Sequence, residues 1–203
     1  MIEIQAKQGS LEWFEARLGK LTGSTFPALM PTARQKIDNW NKTQLTLLRQ
    51  CASEILTGER EDTYQSDAMI RGSILEEEAR ELYQIERMEE VRECGFYEYS
   101  AYIGASPDGM IGTSKTWETK CPTSKNHLKY LLDPEELYKE YKWQTIGEMF
   151  CTESKEGVIC SYDPRFDESR RLVIFDIVPE QEDFDLLSSR LDNAIQLIKE
   201  WIT

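Results

Sequence analysis

Ser106-Pro107-Asp108-Gly109-Met110-Ile111-Gly112-Thr113-Ser114-Lys115-Thr116-Trp117-Glu118-Thr119-Lys120-Cys121-Pro122 is the stretch on which the reading of this chain turns. It places a carboxylate in a Pro-Asp-Gly turn and, ten residues on, Glu-x-Lys in a segment of strand-forming composition that Pro122 ends. Side chains alternate faces along a strand, so Glu118 and Lys120 point the same way. The turn before them can return Asp108 to that face. Two carboxylates and an ammonium then share one surface. Hard cations such as Mg²⁺ take oxygen ligands, often from only one or two protein carboxylates, and leave room for water and phosphate. A lysine beside such a site can orient or deprotonate a water. This is the minimum equipment for metal-assisted phosphodiester hydrolysis. Taken alone, the same residues also suit an ordinary turn and an ordinary exposed strand face, so the rest of the chain has to decide.

A chain of 203 residues is most economically one domain, here residues 1–203, with a substantial core. It is 40% hydrophobic and 30% charged, and no apolar run approaches the ~18 residues of a membrane span. The opening MIEIQAKQGSLEWF lacks the basic start and apolar stretch of a signal peptide, so a cytoplasmic protein with no membrane partner is expected. Cys51, Cys94, Cys121, Cys151 and Cys160 form no CxxC pair, which argues against zinc and iron–sulfur sites. With His127 the single histidine, acid–base work falls to Asp, Glu, Lys or Tyr. The net charge of −13 lowers the expectation of nucleic-acid binding without excluding it. Residues 1–50 hold seven Lys/Arg against four Asp/Glu, leaving 17 against 33 in the remainder. A basic N-terminal patch can therefore hold phosphates on an otherwise acidic surface.

The spacing predicts a short helix over 10–18 capped by Ser10, with Trp13 and Phe14 as apolar packing anchors. A second short helix is expected after Thr22-Gly23-Ser24, and an irregular stretch over 31–42. A helix from Thr43, striped by Leu45, Leu48, Ala52, Ile55 and Leu56, should stop at Gly58. Another should open at Gly72-Ser73, strands should follow at roughly 90–98, 101–106 and 115–121, and Asp133-Pro134 should start a further helix. Strands at Gly157–Tyr162 and Leu172–Val178 and an amphipathic C-terminal helix complete the pattern. The expected fold class is α/β, a central mixed β-sheet flanked by helices.

Several short motifs then fall in order: Gly72-x-x-x-Glu76-x-x-Ala79-Arg80, Ser106-Pro107-Asp108-Gly109, Glu118-Thr119-Lys120-Cys121-Pro122 and Tyr141-x-x-Gln144. Upstream stand Trp13, Arg17-Leu18-Gly19, Thr22 and Ser24, and downstream Asp163-Pro164-Arg165. Together they resemble the phage lambda exonuclease family, within the restriction-endonuclease-like nuclease superfamily. No single element is specific; the ordered set is. The resemblance implies a restriction-endonuclease-like core and a Mg²⁺-dependent (or Mn²⁺-dependent) 5′→3′ exonuclease with two ions per site. Such an enzyme degrades one strand of linear duplex DNA and leaves a 3′ overhang for a single-strand annealing recombinase. A ring-shaped homotrimer around DNA ends is implied on the same grounds.

The resemblance also assigns roles. Asp108, Glu118, Glu76 and the backbone carbonyl of Thr119 would bind metal, and Lys120 would position or deprotonate the attacking water or neutralise charge on the phosphate. Ser73-x-x-Glu76 equally fits a helix capping box, whereas the family pattern makes Glu76 a ligand. Gln144 would border the scissile phosphate, and Tyr141 could serve there or in the core. Arg17, Ser24 and Arg34, with Ser106, are candidates for a 5′-phosphate pocket, since guanidinium forks bind phosphate bidentately. Met69, with Ile70, could wedge between bases where strands separate. Glu77 and Glu78 should be solvated. Related nucleases carry a tyrosine four residues after the glutamine where this chain has Glu148. The alternatives are another nuclease of the superfamily, endonuclease or single-strand exonuclease, and a non-catalytic DNA-end-binding protein.

Overall fold

A computed structural model describes residues 1–31, 35–60 and 67–203, with backbone alone over 67–74. In chain order the elements are β1 (Ile2–Ile4), α1 (Leu11–Arg17), β2 (Leu21–Thr22), α2 (Phe26–Leu29), α3 (Lys42–Thr57) and α4 (Asp67–Arg87). There follow β3 (Val91–Arg92), β4 (Phe96–Ser100), β5 (Ile103–Ala105), β6 (Gly109–Ile111) and β7 (Lys115–Lys120). The chain ends with α5 (Ser124–Leu132), α6 (Pro134–Thr152), β8 (Glu156–Tyr162), β9 (Leu172–Ile177) and α7 (Gln181–Ile202). No helix among the described residues is long and apolar enough to cross a membrane.

The fold is α/β, with mixed sheets flanked by helices, as expected. Two sheets carry it, ordered β1-β4-β5-β2 and β3-β6-β7-β8-β9. In the second, β6 pairs antiparallel with β7, β7 parallel with β8, and β8 antiparallel with β9. A parallel pair needs a long crossover, and α5 with α6 supplies the one between β7 and β8. Helix α6 lays Ile146 and Met149 into the core beside Ile159 of β8 and Leu187, Leu191, Ala194 and Ile198 of α7. That packing is what brings α6 to the end of β7.

The helix signals hold locally. Ser10 Oγ accepts the Trp13 N–H at 3.2 Å. Asn41 and Gln44 cap α3 reciprocally, and Gly58 ends it at φ +68°, a left-handed turn that glycine adopts without steric cost. Asp133 accepts from Glu135 N–H with Pro134 in the first turn.

Four expectations are corrected. The strand expected over 90–98 divides at Glu93-Cys94-Gly95, β3 joining one sheet and β4 the other. Gly95 allows the division, because a Cβ there would collide with the backbone of Ile4 and Ala6. Strand β6 and helix α5 form where no element was expected. Helix α4 starts at Asp67 rather than Gly72-Ser73; Ala68, Met69 and Arg71 favour helix strongly enough to carry it through Gly72. Ser73 is thus inside a helix, and the capping-box reading of Glu76 falls. Leu56 turns outward, 63% exposed.

Candidate active site

The Pro-Asp-Gly turn does return Asp108 to the Glu118–Lys120 face, and the ladder shows why. Gly109 pairs with Trp117, so the same register carried on sets Asp108 opposite Glu118 and Pro107 opposite Thr119. The Pro107 carbonyl is turned away, accepting instead from Gln8 Nε2 at 2.9 Å and from Cys94 Sγ at 3.2 Å. The Thr119 N–H, left without a strand partner, donates to Asp108 Oδ2 at 2.8 Å. In return, Asp108 N–H donates to Glu118 Oε2 at 3.3 Å. Asp108 Oδ1 takes no hydrogen bond among the described residues.

Lys120 Nζ donates to Glu118 Oε1 at 2.6 Å and to Gln144 Oε1 at 3.1 Å, and lies 5.0 Å from the Tyr141 ring centroid. Gln144 Nε2 donates to Glu118 Oε1 at 2.6 Å. Asp108, Glu118, Thr119, Lys120 and Gln144 therefore form one bonded cluster, with Tyr141 against it. Glu76 faces it from α4. Burial first, and then the charge of Glu118, pushes its carboxyl up to about 7. Burial followed by Glu118 and Glu76 holds Asp108 well above the usual carboxylate range. Burial works to lower Lys120, but Glu118 and Asp108 outweigh it and keep the ammonium charged. Among the described residues no three His, Cys, Asp or Glu side chains converge into a preassembled metal cage. The carboxylate pair with carbonyl and water positions is what suits Mg²⁺ or Mn²⁺. Carboxylates gathered in a buried site and repelling one another are the donor set that a divalent cation would relieve.

A second cluster begins two residues upstream. Arg17 lies 4.1 Å above the Trp13 ring. Its Nη2 reaches Thr22 Oγ1 at 3.2 Å and Ser24 Oγ at 3.5 Å, and its Nη1 reaches Ser106 Oγ at 3.5 Å. Burial, and then Arg60, lowers Arg17 to about 10, while the Glu148 carboxylate works in the other direction. A guanidinium surrounded by hydroxyls and a second cation suits an anion. Arg17, Ser24 and Ser106 are thus brought together; Arg34 and the side chains of Met69 and Ile70 lie outside the described residues. Glu77 and Glu78 are exposed as expected, Glu77 pairing with Arg80 and Glu78 accepting from Tyr162.

The model of the YqaJ-like viral recombinase domain matches residues 12–155. The chain belongs to the YqaJ-like viral recombinase family. The family assignment agrees with the resemblance to lambda exonuclease. The alkaline exonuclease LHK-Exo from Laribacter hongkongensis is 30% identical, with a TM-score of 0.78 over 94% of this chain and 95% of that one. LHK-Exo in complex with dAMP is 29% identical, with a TM-score of 0.84 over 95% and 94%. A phage-related exonuclease from Haemophilus somnus 129PT, 17% identical, shares the fold with a TM-score of 0.74 over 90% of this chain and 95% of that one. No curated protein matches the sequence.

Two residues of this YqaJ-like chain emerge only from the structure. Trp13, expected to pack, donates its indole N–H to Ser106 Oγ at 2.8 Å. Glu148, noted only as a departure from related nucleases, is 1% exposed and accepts from Gln144 Nε2 at 2.9 Å. Burial, then Glu118, holds its carboxyl well above the ordinary range. The only available signal was its position one turn beyond Gln144.

Proposed function

We propose that this YqaJ-like protein is a metal-dependent 5′→3′ exonuclease that hydrolyses one strand of linear duplex DNA and leaves a 3′ overhang for recombination by single-strand annealing. One observation carries the reading: the acidic Asp108–Glu118–Lys120–Gln144 cluster and the hydroxyl-lined Arg17–Ser24–Ser106 pocket share the 106–108 turn. The pocket suits a terminal 5′-phosphate, while the cluster suits the phosphodiester to be cut. The exonuclease LHK-Exo, alike in fold and identity, supports it.

Asp108, Glu118, Glu76 and the Thr119 carbonyl would hold the cation, Mg²⁺ or Mn²⁺, with two ions per site the resemblance's expectation. When bound, it supplies Lewis-acid charge at the phosphate and lowers the pKa of water. The protein's own groups do the rest. Lys120 donates to a phosphate oxygen and offsets charge that builds in the transition state. Gln144 holds Lys120 and Glu118 in register, and Arg17 with the two serines fixes the 5′ end. One nuclease domain, a ring-shaped homotrimer, an annealing recombinase as partner and a cytoplasmic site of action belong to the same reading.

Digestion of linear duplex in Mg²⁺, comparing 5′-phosphate with 5′-hydroxyl ends beside a covalently closed circle, tests it. Loss of the phosphorylated strand with the circle intact is expected. A cut circle would mean an endonuclease, and no cleavage in Mg²⁺ or Mn²⁺ would leave an end-binding protein.

A further inference from the structure

Glu148 occupies the middle of α6 with its two carboxylate oxygens in different circumstances. Oε1 accepts from Gln144 Nε2 at 2.9 Å. Oε2 is buried with no hydrogen-bond partner among the described residues. Leaving a buried acceptor unmatched costs free energy that an apolar side chain of the same shape would avoid. A position that served packing alone would be better filled by leucine. The remainder of the side chain is wedged under the N-terminal loop: a Cβ on Gly23 would stand 3.1 Å from Glu148 Cγ and 3.3 Å from its Oε1. The carboxylate is thus held on one side by a backbone with no room to spare, and on the other by Gln144.

Gln144 has two amide hydrogens and one carbonyl. One hydrogen goes to Glu118 Oε1 at 2.6 Å, the other to Glu148 Oε1, and the carbonyl accepts from Lys120 Nζ at 3.1 Å. Glu118 and Lys120 are groups that substrate engages. Glu148 lies behind them, so it can hold the amide while its other partners are in use.

We propose that Glu148 is a positioning residue, one that fixes the Gln144 amide against Glu118 and Lys120 and so sets the rate of the hydrolytic step. The proposal rests on the nuclease reading above. It acts through Gln144, which gives it a signature that loss of packing lacks: its effect disappears when Gln144 is already gone.

A double-mutant cycle reads this directly. Single-turnover hydrolysis of a 5′-phosphorylated linear duplex and affinity for its end are measured for the wild type, Glu148→Leu, Gln144→Ala, the double variant and Glu148→Gln. Glu148→Leu should slow hydrolysis about tenfold or more while end affinity stays within about twofold. On top of Gln144→Ala it should add less than about twofold, and Glu148→Gln, which keeps an acceptor oxygen, should recover most of the loss. Equal slowing by Glu148→Leu in both backgrounds, or no slowing, overturns the proposal. Where Glu148→Leu does not fold, Glu148→Met, which fills space flexibly, carries the same cycle. A wild-type protein that cuts nothing would instead remove the nuclease reading itself.

Discussion

The indole N–H of Trp13 donates to Ser106 Oγ at 2.8 Å, joining helix α1 to the turn that delivers Asp108 across 93 residues of chain. Helix α1 has no fully buried residue, so a core stripe does not hold it in place. This bond and the contacts of Arg17 do. Trp13→Phe keeps an aromatic face beneath Arg17 but removes the donor. It should cost about 1 kcal/mol of stability and weaken the preference for 5′-phosphorylated ends; thermal unfolding and paired digestion assays check both.

Arg17→Ala should reduce the rate advantage of a 5′-phosphate over a 5′-hydroxyl end by about 10- to 100-fold, the worth of hydrogen bonds to a charged group. Arg17→Lys should recover little, because an ammonium cannot reach Thr22, Ser24 and Ser106 with one planar fork. If both ends are cut alike by the wild type, the pocket has another use.

Asp108→Asn keeps an oxygen for the Thr119 N–H and so should preserve the fold. It removes a charge from the cluster, and hydrolysis should fall by about 10²–10³ while DNA-end binding survives in a gel-shift assay. A variant that still cuts at the wild-type rate would take Asp108 out of the site.

Without divalent cation, stability should fall as pH rises between 4.5 and about 7 through Glu76. The folded state holds this proton where the unfolded chain has released it, so the contribution is full below the unfolded value and lost through the folded one. Glu118 and Glu93 push Glu76 up, while Arg80 and Lys120 pull it down. Asp108, raised well above its ordinary value, acts in the same direction. Mg²⁺ binds the ionised carboxylates and should therefore raise the melting temperature more at pH 8 than at pH 5. An equal rise at both would count against these ligands.

Gly147→Ala tests how α6 is seated. A Cβ there collides with the ring of Phe26 on α2, and overpacking of this kind costs about 1–3 kcal/mol. Because Gln144 and Glu148 ride on the same helix, hydrolysis should fall as well. Chemical denaturation at unchanged m-value reads the first effect.

The stretch 106–122 could be read without a structure because its geometry is local. A strand's two-residue period puts Glu118 beside Lys120, and a ten-residue connection is short enough for Asp108 to return. Caps at Ser10, Gly58 and Asp133 are local in the same sense. Strand pairing is not. Residues 90–98 look like one strand, yet Gly95 lets the chain leave one sheet and enter the other, a choice made by Ile4 and Ala6 far upstream. Helix α5 was missed because its nine residues give little more than two turns to read; only His127 and Tyr130 in it are buried.

By itself, then, the sequence determined which groups stand on one face of β7, where α1 and α6 begin and α3 ends, and, through the order of its motifs, the family. Only the tertiary structure decided that Gln144 reaches Glu118 across 26 residues, that Trp13 reaches Ser106 across 93, and that Glu148 is buried at all. The reason is physical: period and capping depend on neighbours in the chain, whereas burial and long-range bonds depend on which surfaces pack together, and residue type alone does not specify its surroundings.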